Sequence, residues 1–368
     1  MQSKMSEETP AQLGFTMSAE WEKHSAVWLA WPYDDTTFPG RVKKAELVFV
    51  EIIKAIYESD VVNLLVLDDN MSILIGAMLK EAGVDIKKIN FITTKYADVW
   101  TRDYGPTFLL NRQNKSLAWV KWEYNAYGKA DDPYFAPVLT DKDVFNNLEL
   151  PGQKFNPGIV LEGGSVEVNG QGVLITTEQC LLNSNRNPGL NKEQIENYLK
   201  SYLGVKKIIW LPRGLVNDHT DGHIDDIAKF VAPDRIVVAC EDDPSDENFS
   251  ILNDNYEILK NSTDQNREPF EVIKVPMPHM RYEEWHSVHS TDGGDNSSQS
   301  EKAAVSYLNF YISNLVVLVP TFKDANDAMA LKIIQDCFPD RKVVGIDCSD
   351  IIYGGGSIHC MTQQQPAL

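Results

Sequence analysis

The chain has 368 residues, 43% of them hydrophobic, with 34 basic against 53 acidic residues for a formal charge of −19. That length supports a large core, and the acidic balance excludes nucleic acid and anionic membranes as main partners while suiting a cationic ligand. No apolar run approaches the ~20 residues of a membrane helix, no secretory apolar region is present, and five scattered cysteines without C-x-x-C spacing fit reduced thiols of a cytoplasmic protein.

In chain order, "HSAVWLAWP" from His24 reads as a strand, and residues 42–58 place Ala45, Phe49, Ile52, Ile53 and Ile56 on one helical stripe. A pattern then recurs: a short polar or glycine-bearing head, an alternating strand, a turn and a second apolar strand. It runs from Arg102 with a turn at Gln113-Asn114, from Leu161 with a turn at Asn169-Gly170, from Asp221 with a turn at Pro233-Asp234, and from Ser306 with a turn near Asn314. Between these units, "NKEQIENYLKSYLG" is a helix with Asn191 as N-cap and Gly204 as its stop. A further helix starts at Asp324 and closes before Pro339. The stretches at His24 and at "GGGSIHCMTQ" from Gly354 are partial copies of the pattern at the two ends. The heads lie roughly 64 residues apart, and a repeat of strands plus helix implies one closed or radial α/β fold with its heads on a common axis. The low-complexity stretch 286–300 reads as a mobile loop or lid.

Those heads carry Asp103, Glu162, His223 with Asp225, and Cys360. Singly, each has a structural explanation: a core thiol, a strand histidine, a turn aspartate. Strand alternation puts His223 and Asp225 on one face, and turns His359 away from Cys360, leaving His223 as the partner of a Cys360 nucleophile. Together they suit a guanidinium, a planar forked cation that asks for paired carboxylates and whose central carbon a thiolate can attack. A rival reading takes Asp218, His219, Asp221, His223 and Asp225 as ligands of a metal-dependent ureohydrolase. Its spacing is loose, and it leaves Cys360 and the glycines unexplained.

The stretches "EWEKHSAVWLAWP", "WTRDYGPTF", "LEGGSVEV", "LLNSNRNPGL", "GHIDDIAKF", "SYLNFY" and "GGGSIHCMTQQQP" together resemble the agmatine deiminase family, related to bacterial peptidylarginine deiminases. The resemblance runs from about Gly14 to the C-terminus. It implies a single catalytic domain over 1–368 with the pentein fold, a five-bladed α/β propeller of pseudo-fivefold symmetry. It also implies hydrolysis of agmatine to N-carbamoylputrescine and ammonia, in putrescine biosynthesis, without metal or organic cofactor. By that resemblance Cys360 is the nucleophile, His223 the general acid/base, Glu162 the acid that orients it, and Asp103 and Asp225 hold the guanidinium. Trp100 and the glycines Gly354, Gly355 and Gly356 line the pocket. The family's E-D-T-N-G-H reads Asp218-His219-Thr220-Asp221-Gly222-His223 here, so Asp218 and Asp221 fall where the substrate's far end could be read. A deiminase of free or C-terminal peptidyl arginine, or an amidinotransferase, would use the same residues. The expected partner is a small cationic guanidino compound, and a homo-oligomer is compatible with the sequence.

Overall fold

In a computed structural model, residues 8–281 and 302–368 are described; the expected loop at 286–300 lies outside them. Strand β1 (His24–Ala30) is followed by helix α1 (Val42–Ile56), which buries the anticipated stripe of Ala45, Phe49, Ile52, Ile53 and Ile56. Next come β2 (Val61–Val66), α2 (Asp69–Glu81) and β3 (Ile89–Thr93). β1, β2 and β3 run parallel.

The second sheet begins at the short helix α3 (Thr101–Tyr104) and contains β4 (Thr107–Asn111), β5 (Ser116–Val120) and β6 (Gln153–Phe155). The third holds β7 (Val166–Val168), β8 (Val173–Thr177) and β9 (Lys207–Leu211), with α4 (Glu178–Leu181) and α5 (Lys192–Leu203) between the last two. In α5 the Asn191 carbonyl oxygen Oδ1 accepts from Gln194 N at 3.0 Å, and Gln194 Oε1 accepts from Asn191 N at 2.9 Å. This capping box opens the helix, and Gly204 at φ 69° ends it. The fourth sheet is β10 (Ala228–Ala232), β11 (Arg235–Cys240) and β12 (Glu271–Pro276), with α6 (Phe249–Lys260) before its last strand. The fifth is β13 (Tyr311–Ile312), β14 (Val316–Thr321) and β15 (Lys342–Asp347), with α7 (Asp327–Cys337) inserted. α7 begins three residues after Asp324, because the Asp324 carboxylate accepts from Asn326 N at 2.8 Å and closes a turn there instead.

In each of these four sheets the first strand pairs antiparallel with the second, and the second parallel with the third. The first sheet reaches the same pattern by taking its antiparallel member from the far end of the chain. β16 (Gln363–Pro366) pairs with β1, giving the order β16-β1-β2-β3. The expected heads precede their strands as the repeat predicts, but they are not extended, so strand alternation does not apply within them. Each is a tight turn just ahead of the antiparallel strand: Thr101–Tyr104, Gly163–Ser165, Ile224–Asp226, a turn closed by Asn309 N to Ser306 O at 3.3 Å, and the turn holding Cys360. Among the described residues no helix is long and apolar enough to cross a membrane.

Candidate active site

Four of the five turns bring Asp103, Glu162, His223, Asp225 and Cys360 into one buried cluster, each at most 5% exposed. Asp103 is held by both oxygens: Oδ1 accepts from Gly164 N at 3.0 Å and Oδ2 from the Tyr127 hydroxyl at 3.0 Å. His223 Nδ1 lies 3.7 Å from Asp103 Oδ1. Neither ring nitrogen of His223 has a hydrogen-bond partner, nor do Glu162 Oε2 and Asp225 Oδ1. Buried polar atoms normally find partners, so the open Asp225 Oδ1 and the His223 ring, on which only the Cys180 thiol acts apart from the carboxylate charges, suit a polar ligand beside Cys360.

Cys360 Sγ accepts from Asn309 Nδ2 at 3.1 Å and lies 3.6 Å from Asp225 Oδ2. The other end of the Asn309 amide accepts from His359 N at 3.0 Å, Cys360 N at 3.3 Å and the Ser357 hydroxyl at 2.8 Å. Asn309 is thus the contribution of the fourth turn, which carried no candidate in the sequence reading. Its place at the head of the "SYLNFY" unit is the signal that points to it.

His359 differs from expectation. Residues 358–361 form a turn, not a strand, so alternation does not apply. The ring reaches Asp225 Oδ2 through Nδ1 at 2.7 Å and Glu20 Oε2 through Nε2 at 2.8 Å. His223 and Asp225 also share no strand face: His223 precedes the 3-10 turn Ile224–Asp226, and both still meet in the cluster.

Asp218 and Asp221 are engaged by the protein. Asp218 accepts from Thr220 N at 2.8 Å and from the backbone of Gly222 and His223 at 3.1 Å each. Asp221 accepts from Arg186 at 2.6 Å and Asn185 at 2.9 Å. They shape the loop that delivers His223. Arg186, within the "LLNSNRNPGL" stretch, bonds Glu162 Oε1 through Nε at 2.7 Å and Thr220 O at 2.8 Å, tying that loop to the third sheet.

The glycines near Cys360 make room for protein side chains. A Cβ at Gly355 (φ 90°) would fall 2.2 Å from the His219 ring, one at Gly354 2.7 Å from Phe38, and one at Gly356 2.7 Å from Trp100. Trp100 and His219 therefore pack directly on this backbone and wall the site.

Burial, with Asp225 and Glu162 nearby, pushes the Asp103 carboxyl up to about 6 against the pull of His223. Burial works the same way on Asp225, but the His359 hydrogen bond and the charges of His359, His223 and Lys229 outweigh it and hold this carboxyl below its ordinary value. Burial would lower His223, yet Asp103, Cys180 and Asp225 raise it well above the usual imidazole range. Burial raises the Cys360 thiol well above its usual value; Asp225, Asp226 and Asp103 add to this, while Asn309 opposes it. The resulting site pairs an imidazole that favours its proton with two carboxyls and a reluctant thiol. A cation beside the carboxyls favours their ionised forms and eases the thiol toward thiolate.

Glu162, Cys180 and His223 also bring donor atoms within 4.8 Å of one another. Arg186 already supplies the counter-charge of Glu162 at 2.7 Å, so a second cation would be repelled there. The trio is the setting of the histidine. The run Asp218 to Asp225 does not converge as a ligand set, since Asp218 and Asp221 are spent on backbone, Asn185 and Arg186 contacts.

Residues 16–366 match the family model described as Porphyromonas-type peptidyl-arginine deiminase. The chain is 38% identical to an agmatine deiminase of Pseudomonas fluorescens, covering 98% of this chain and 97% of the relative. It is 40% identical to one of Pseudomonas syringae pv. tomato with the same coverage. Among solved structures, the agmatine deiminase of Enterococcus faecalis superposes with a TM-score of 0.86 at 32% identity, covering all of both chains.

Proposed function

The chain belongs to the Porphyromonas-type peptidyl-arginine deiminase family, and from that premise we propose that it hydrolyses agmatine to N-carbamoylputrescine and ammonia, a step toward putrescine. The observation that carries this is the set of unpartnered buried atoms on Asp225, Glu162 and His223 beside Cys360. The agmatine deiminase relatives favour agmatine as the guanidine substrate.

The guanidinium lies between Asp103 and Asp225, whose carboxylates accept its N–H donors. Neutralising those charges lowers the Cys360 thiol, which burial and the same carboxylates hold up in the free enzyme. As the cation binds, the thiol releases its proton to solvent; the thiolate attacks the guanidinium carbon and forms a C–S bond while the carbon's π pair moves to nitrogen. His223, protonated, gives its proton to the departing amino group, which leaves as ammonia. A thiouronium remains on Cys360. Water, surrendering a proton to His223, adds to the same carbon. The C–S bond then breaks, the new hydroxyl gives up its proton, which the released ammonia takes to become ammonium, and the urea product leaves with the thiolate restored. Glu162 and Arg186 keep His223 in place. We read the five sheets as the blades of a five-bladed α/β propeller with pseudo-fivefold symmetry, forming a single catalytic domain, because each sheet lends one turn to the site.

Ammonia release measured across agmatine, free arginine and peptides ending in arginine, with and without chelator, tests the reading. Agmatine should be turned over fastest, chelator should have no effect, and Cys360→Ser should abolish release. Near-normal turnover by Cys360→Ser, or faster turnover of arginyl peptides, would overturn it.

A further inference from the structure

His359 sits beside the nucleophile without bonding to it, and its two ring nitrogens are both committed. Nδ1 meets Asp225 Oδ2 at 2.7 Å and Nε2 meets Glu20 Oε2 at 2.8 Å, with all three side chains buried. Glu20 is itself fixed from several elements. Its Oε2 accepts from Lys229 Nζ of β10 at 3.1 Å and from Arg102 of α3 at 3.4 Å, and its Oε1 accepts from Ile312 N of β13 at 2.8 Å. A rigid post thus stands behind the ring. In front of it, Asp225 Oδ2 is pinned and Asp225 Oδ1 has no partner.

Resting on the function proposed above, we infer that His359 is a positioning residue: braced by Glu20, it holds one oxygen of Asp225 so that the other is aimed at the substrate's guanidinium. Burial, Arg102 and Lys229 outweigh Glu20 and the Asp225 hydrogen bond and would lower the ring below its ordinary value, whereas the two short contacts argue for the charged form. The count of acceptors decides the matter. A neutral imidazole donates from one nitrogen only, and would leave one of two buried carboxylates facing a bare lone pair. The doubly protonated ring satisfies both, and its charge keeps Asp225 ionised beside Asp103. The other charged or titratable groups around Asp225 are its neighbours His223 and Asp226, Asp103 from α3, Lys229 from β10 and the Cys360 thiol. Apart from His223 and Lys229 these are acids, so removal of His359 tips Asp225 toward taking up a proton.

Two substitutions separate the halves of this device. The amide nitrogen of asparagine falls near the place of Nδ1 and that of glutamine near Nε2, so His359→Asn keeps the donor to Asp225 and His359→Gln keeps the one to Glu20. In the native protein the acid limb of kcat/KM is expected to follow a single proton, that of Asp103, whose carboxyl burial pushes up to about 6. The limb falls as pH drops because a protonated carboxyl no longer attracts the cation. For His359→Gln we expect KM for agmatine to rise roughly tenfold above that of His359→Asn, and the acid limb to move up by about one unit and steepen to two protons. His359→Asn keeps the hydrogen bond but loses the ring's charge, so its limb should move by less than that of His359→Gln. Equal KM and equal limbs for the two variants would overturn the proposal. Should His359→Gln fail to fold by circular dichroism, Glu20→Gln decides: the limb must move upward, and an unmoved limb refutes the brace. Asp225→Asn, run in parallel, isolates the underlying reading. If it turns agmatine over normally, Asp225 is no guanidinium ligand and both readings fall. If it is inactive while the two His359 variants agree, only the positioning role falls.

Discussion

At Gly164 an added Cβ would lie 2.6 Å from His223 Nδ1, 2.9 Å from Asp103 Oδ1 and 3.0 Å from Asp225 Oδ2. Its backbone φ is not of the left-handed kind, so the residue is small for the sake of the space in front of it. Gly163, one residue earlier, answers to a different demand: a Cβ there would meet the Arg102 carbonyl at 2.1 Å and force the backbone apart. Gly164→Ala should therefore fold, since only side-chain ends oppose it, yet lower kcat/KM by at least about 100-fold by displacing reacting groups by a fraction of an ångström. Activity within a few-fold of native in a steady-state assay would mean that the site has more room than these distances allow. Five residues of the cluster were legible in the sequence because their types are reactive and their positions repeat. Glu20, Arg186, Asn309 and the orientation of His359 were not, because each acts through a partner on another sheet. No spacing along the chain reveals that Glu20 meets His359 across 339 residues.

Among elements, those with one clean apolar face were readable. α1 and α5 bury regular stripes, and the four hairpins turn where Asn, Gly, Pro or Asp punctuate the strands. α2 and α6 escaped for a physical reason. α2 leaves Ile73 and Leu74 68% and 67% exposed, so its apolar residues do not share a face, and α6 buries Asn255 among its leucines. The turns at the strand heads were taken for strands because two or three residues are too few to show a period. β16 looks weak in composition, being "QQQP", yet it supplies the antiparallel partner of β1 from His24 to Trp28. Deleting Gln363–Pro366 should remove that partner and the support of the Cys360 turn together. The expected outcome is loss of ammonia release and a lower midpoint of thermal unfolding; a stable, active deletion variant would show that the pairing is dispensable.

For the whole molecule, the two partial repeats at the ends prove to be halves of one sheet. The C-terminal piece brings the turn and first strand, the N-terminal piece the remaining three. The site takes one turn from each sheet, the reactive residues from four of them and Asn309 from the fifth, so no sheet owns the chemistry and all must be in place for any of it. The weakest seam is set by direction. In the β1–β16 ladder His24 pairs with Pro366 and Trp28 with Gln363, and Ala367 N bonds Lys23 O at 2.7 Å. Both strands therefore leave this ladder from the same end. Force applied between Lys23 and the C-terminal end would load the bonds of this ladder one at a time, from the Ala367 end. In a single-molecule pulling experiment the first event should be a short release of β16 at low force, and the nucleophile should be the first part of the site to leave. Activity lost before the main unfolding event would show that the ladder guards the nucleophile; simultaneous loss would show that it does not.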